Sequence, residues 1–169
     1  MEQRVDYKKI ARAAMSAMLG LEQYARQSGI EPSLLELVRL RASQINGCAY
    51  CVDMHTKDAR ANGESEQRLY AVAVWRETPF FGERERAALE WTEALTLLAQ
   101  QGVPDEVYES VRPHFDEKEL VDLTVAIIAI NGWNRLAVSF RAVPGTYQPT
   151  RRFEESGTSV RQTASGGPS

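Results

Sequence analysis

Apolar residues recur at three- and four-residue steps along most of the chain, without the alternating β-branched runs and tight turns of a sheet, so the fold class is all-α. A first helix over residues 6–27 carries Ile10, Ala14, Met18, Leu21 and Ala25 and stops at Ser28-Gly29. A second opens at Pro32-Ser33 and turns Leu34, Leu37, Val38 and Ile45 inward; Asn46-Gly47 ends it, and a third runs over 48–61 to Asn62-Gly63. A short helix over 65–76, an aromatic loop at Phe80-Phe81, a fifth helix over 83–100 and a sixth from Pro104 follow. Asp116 and Glu119 form a capping pair for a last long helix through Val121, Val125, Ile128 and Leu136 toward Arg141.

The 169 residues suit one domain, expected over 1–143, and 43% apolar content can bury a core. Residues 144–169 read as a flexible tail, since ten of the fourteen from Ser156 to Ser169 are Ser, Gly, Thr or Pro. A formal charge of −3 offers no basic field for nucleic acid. The longest apolar run, Val125 to Ile130, is far short of the roughly 20 residues that span a bilayer, so no membrane partner is expected. With two cysteines and no basic-then-apolar leader at the start, a reducing cytoplasm is the expected location.

Both cysteines and one of the two histidines fall within Cys48-Ala49-Tyr50-Cys51-Val52-Asp53-Met54-His55. At about 100° per residue, Cys48, Cys51 and His55 lie within about 60° of one another on one helix face. Sulfurs three positions apart in the first turn can close a disulfide, and the amides there favour thiolate over thiol. His55, four residues after Cys51, can take its proton and hold the anion. If the second and third helices form an antiparallel hairpin, Glu36 lies about 15 Å back along its helix, level with positions 55–57, and can orient the imidazole.

Blander readings compete. The cysteines can be small core residues, Glu36 can close a capping box with Ser33, and Tyr50 can simply pack in a groove. Asp53 and Asp58 read as solvated charges and His114 as a surface or capping residue. Zinc on Cys48, Cys51 and His55 needs a fourth ligand, from His114 or an acid, and three ligands along one helix splay unfavourably; no metal is expected.

The stretch from Glu36 to Thr56, with Glu83-Arg84-Glu85-Arg86-Ala87-Ala88-Leu89 and Ile130-Asn131-Gly132-Trp133-Asn134-Arg135, resembles the AhpD-like alkylhydroperoxidase branch of the carboxymuconolactone decarboxylase family. The resemblance implies a helical bundle of about six or seven helices that assembles as a homotrimer or homohexamer and reduces hydroperoxides without a metal or organic cofactor. It implies that Cys51 is peroxidatic and Cys48 resolving, with Glu36 and His55 as proton relay. The reductant it implies is a lipoyl dithiol, a thioredoxin-like protein or a peroxiredoxin. Well-studied members carry His where this chain has Tyr50, and a phenol titrating near 10 donates a hydrogen bond but accepts a proton poorly. The alternatives are a lactone decarboxylase on the same fold and a redox sensor that forms the disulfide without turnover.

Overall fold

A computed structural model describes residues 2–149. Nine helices form among these residues: α1 Tyr7–Ile10, α2 Arg12–Gln27, α3 Pro32–Ile45, α4 Ala49–Ala61, α5 Glu66–Ala71, α6 Glu83–Thr96, α7 Leu98–Gln101, α8 Asp105–Val111 and α9 Glu117–Ser139. Two 3-10 segments, Val72–Glu77 and Arg112–His114, join α5 to α6 and α8 to α9. No strand forms among the described residues. The all-α expectation holds, with the helix number raised by one-turn pieces.

α3 is the central rod. Leu34, Leu35, Leu37, Val38, Leu40 and Ala42 are buried, and so are Glu36, Arg39 and Ser43. A helix buried nearly all round must be enclosed by others; α4, α6, α9 and the first 3-10 segment pack on it. Burying each leucine contributes about 1.5–3 kcal/mol. Gly47, at φ 63°, makes the tight reversal after α3, and α4 folds back antiparallel. The expected capping pair forms: Asp116 Oδ1 accepts from the Glu119 amide at 2.7 Å, and Glu119 Oε2 from the Asp116 amide at 3.0 Å.

Four expectations are corrected. The first helix breaks at Ala11 (φ −116°, ψ 49°), because Asp6 caps a separate turn that seats Tyr7 against Phe140, ring centroids 5.6 Å apart; Ile10 is left 74% exposed. The fifth breaks at Leu97, and the second half of the 65–76 helix tightens to 3-10. In α9 the buried stripe is Leu123, Ala126, Ile127, Ile130, Asn134 and Ala137, while Val121 and Ile128 are 60% and 55% exposed. This helix is apolar on both sides, so its period alone does not fix which side faces inward. Where the expected tail begins, the Gly145 amide donates to Asp53 Oδ2 at 2.9 Å; residues 150–169 lie outside the described ones.

Two close contacts place the remaining helices around the cysteine turn. α2 passes so near α9 that a Cβ on Gly132 would meet Met18 Cε at 2.8 Å. The end of α3 is tied to α9 by Asn46, whose Nδ2 donates to Asn131 Oδ1 at 3.0 Å and Asn134 Oδ1 at 2.9 Å, while Asn134 Nδ2 donates to Ser43 Oγ at 3.0 Å. These bonds account for the Asn-Gly-Trp-Asn motif in α9: its amides hold the turn from which α4 starts. Asn134→Ala leaves the buried Ser43 hydroxyl and the Asn46 amide each short of a partner. Urea denaturation should show a loss on the order of 2 kcal/mol; a loss below 0.5 kcal/mol would mean the network is incidental.

Candidate active site

Cys48 is the N-cap of α4, in extended backbone, and its Sγ accepts from the Cys51 amide at 3.3 Å. Cys48 and Cys51 are joined in a disulfide with their Cα atoms 5.4 Å apart, and both are buried. One turn further, His55 is buried and its Nδ1 lies 2.8 Å from Glu36 Oε2. The hairpin expected from the sequence therefore forms with Glu36 level with His55, and Glu36 does not cap α3.

The electrostatics follow from what surrounds Glu36. Burial pushes its carboxyl pKa up, but the His55 hydrogen bond and the charges of His55 and Arg39 outweigh burial and hold it down to about 2. A carboxylate only accepts, so Nδ1 of His55 donates. In the neutral ring Nε2 then carries the lone pair, and this buried nitrogen has no hydrogen-bond partner among the described residues. Arg39 Nη1 donates to Glu36 Oε1 at 2.7 Å. Its Nη2 lies 2.8 Å from Glu22 Oε1, close enough for an ion pair but off the line of a hydrogen bond.

Cys51 and His55 open onto one cavity of about 410 Å³. Met15, Leu19, Met54 and Trp133 give it apolar walls, with Tyr50 and Lys8 at its edge; Lys8 Nζ sits 5.3 Å from the Tyr50 ring centroid. The fifth expected site residue, Tyr50, is thus a wall between α1 and the disulfide. Phe80 and Phe81 of the aromatic loop line neither of the cavities at the cysteines. Phe81 is buried with Leu69, Trp75 and Leu89 instead, and the cover at Cys51 comes from Tyr7 and Lys8.

Asp58 is no free solvated charge. Its Oδ1 accepts from the Tyr147 hydroxyl at 2.7 Å, and burial, reinforced by this bond, raises the phenol's pKa. Glu36, His55 and Asp58 bring ligand atoms within 4.8 Å of one another, but a cation there would have to displace Arg39 and Tyr147 from their carboxylates. The sulfurs are bonded to each other, and His114 lines a separate cleft with Trp75 and Arg76, so the zinc set is not assembled. Arg39, Glu22 and Tyr147 escaped the sequence reading. Arg39 left a signal: it follows Glu36 by three positions in a helix whose neighbouring residues are apolar.

The depressed Glu36 value fixes a pH dependence. In the unfolded chain Glu36 takes its proton near 4.5, in the fold near 2. As pH falls between these values the unfolded chain binds a proton that the fold does not, and about 3 kcal/mol of stability present above pH 4.5 is lost. Urea unfolding from pH 6 to 2 should therefore show a flatter acid limb for Glu36→Gln than for the unaltered chain. Parallel limbs would show that the ion pair does not set this dependence.

Three comparisons bear on this arrangement. The family model for the carboxymuconolactone decarboxylase family matches residues 12–94, from α2 into α6. The chain is similar to the uncharacterised protein YdfG of Bacillus subtilis (strain 168), 48% identical over 139 residues that span 82% of this chain and 95% of that one. It is similar to alkyl hydroperoxide reductase AhpD of Acidobacterium capsulatum, 45% identical over 47 residues, 28% of this chain and 26% of that one. Among solved structures it superposes with a TM-score of 0.84 on an Agrobacterium tumefaciens protein of unknown function, provisionally assigned to antioxidant defence as AhpD. That match is 47% identical and covers 86% of this chain and 100% of the other. The family model contains the whole hairpin that carries Glu36, the cysteine pair and His55, and the chain belongs to the carboxymuconolactone decarboxylase family, in its AhpD-like branch.

Proposed function

We propose that the protein is a thiol-dependent peroxidase that reduces hydroperoxides through Cys51 and Cys48. The observation that carries this reading is the shared cavity: Cys51 and His55, whose Nε2 has no partner among the described residues, both face it, while Glu36 holds the other ring nitrogen. In the dithiol form His55 takes the Cys51 proton at Nε2. The thiolate attacks the terminal peroxide oxygen, the O–O bond breaks, and the leaving alkoxide takes the proton back from the imidazolium to depart as an alcohol. Cys51 is left as a sulfenic acid. Cys48, whose sulfur accepts the Cys51 amide and so is favoured as thiolate, attacks the Cys51 sulfur; the proton its thiol gave up joins the departing sulfenic hydroxide as water, giving the disulfide seen in the structure.

The apolar walls favour an organic hydroperoxide over a small polar one. Turnover requires a dithiol or protein reductant, which accords with a reducing cytoplasm. These steps draw only on groups of the chain itself. Assembly as a homotrimer or homohexamer is supported by the apolar side chains left outside α9, Val121 and Ile128, and by Ile10.

Cys51→Ser should abolish dimedone-reactive sulfenate after one equivalent of organic hydroperoxide, whereas Cys48→Ser should let it persist. Label surviving in Cys51→Ser would reverse the two roles. His55→Asn should slow peroxide-driven oxidation about 100-fold in stopped flow, and an unchanged rate would remove the base. Sedimentation equilibrium at micromolar concentration should return a multiple of the 19.0 kDa chain mass; a monomer would reject the assembly.

A further inference from the structure

The two sulfurs of the disulfide open onto different cavities. Cys51 lines the one shared with His55; Cys48 lines a second, of about 460 Å³, on the other side of Tyr50 and Ala137, which border both. Among the described residues, no acid and no histidine lines the second cavity. Its wall is Gly47, Val138, Ala142 and Val143, and its single charge is the Arg141 guanidinium, which has no ion-pair partner among the described residues.

Arg141 occupies this place at a conformational cost. It is the residue after the C-cap of α9, at φ 53°, where its amide donates to Val138 O at 3.3 Å and the Ala142 amide to Ala137 O at 2.9 Å. That helix ending ordinarily takes glycine. A cation is present where a residue without a side chain would be less strained.

The geometry points to the Cys48 cavity as the entry for the reductant: a thiolate on an aliphatic stem docks against Arg141 and attacks the Cys48 sulfur. Thiol–disulfide exchange proceeds along the S–S axis, so attack on Cys48 comes from the side away from Cys51. The attacking group is an anion, and among the described residues Arg141 is the only charged side chain of this cavity. The bond between Cys48 and Cys51 breaks as the new S–S bond forms, and the electron pair leaves on Cys51 as a thiolate beside His55. The second thiol of the reductant then displaces Cys48, so the dithiol loses two electrons as a cyclic disulfide and both cysteines are reduced. Oxidant and reductant thereby enter on opposite sides of Tyr50.

This inference rests on the disulfide being a turnover state, but its test does not require peroxidase activity. The full chain is oxidised with diamide, mixed with the anionic monothiol 2-mercaptoethanesulfonate, quenched early with N-ethylmaleimide and mapped by mass spectrometry. The adduct is expected on Cys48 with maleimide on Cys51; the reverse pattern overturns the proposal. In Arg141→Glu the rate ratio of this thiol to neutral 2-mercaptoethanol should fall about threefold or more, and an unchanged ratio removes Arg141 from the docking site. Normal reduction in a protein that consumes no hydroperoxide would sink the peroxidase reading and leave this one standing.

Discussion

The hydrogen bond between Glu36 Oε2 and His55 Nδ1 crosses the α3–α4 hairpin at 2.8 Å, and the chemistry of the site depends on it. It fixes the tautomer of a buried ring and so decides which nitrogen is left to work beside Cys51. It also ties the reactive helix to the central one: α4 cannot slide or rotate along α3 without separating a buried carboxylate from its partner.

A carboxylate in the middle of the central helix is costly unless it is paired, and removing one member of a buried pair typically costs about 3–5 kcal/mol. Arg39, one turn along the same helix, supplies the compensating charge and passes it on to Glu22 of α2. With His55, these four side chains link α2, α3 and α4 through polar contacts rather than methyl groups. Apolar packing tolerates small shifts in register, whereas this chain of contacts has few alternative arrangements. The precision needed at the cysteine turn is met by polar groups within an apolar bundle, and the Asn46, Asn131 and Asn134 amides do the same for the turn itself.

Much of this was legible in the sequence. The Cys48, Cys51 and His55 face follows from helix period alone, and the level of Glu36 from rise per residue once Asn46-Gly47 is taken as a reversal. The inward side of α9 was not legible, because Val121 and Ile128 fit the period as well as Leu123 and Ile127, and only packing selects between them. Ala11 carries no breaking residue; the break reflects a distant contact, Tyr7 on Phe140, that no local pattern encodes. Tyr147 was hidden for the same reason, since it lies in a segment read as tail and its partner Asp58 is 89 positions away in α4.

The pair of cysteines is chemically unsymmetrical although the residues are identical. Cys48 sits outside the first turn of α4 with a backbone amide directed at its sulfur, and Cys51 sits inside that turn with an imidazole one turn on. An amide stabilises a thiolate at any pH but transfers no proton, whereas an imidazole can do both. The sulfur beside the imidazole is therefore suited to steps in which a proton must arrive or leave, and the capped sulfur to steps in which a thiolate only has to persist. That division follows from placing the cysteines three residues apart at a helix start with histidine four residues further on. Either cysteine moved by one position would lose its companion group.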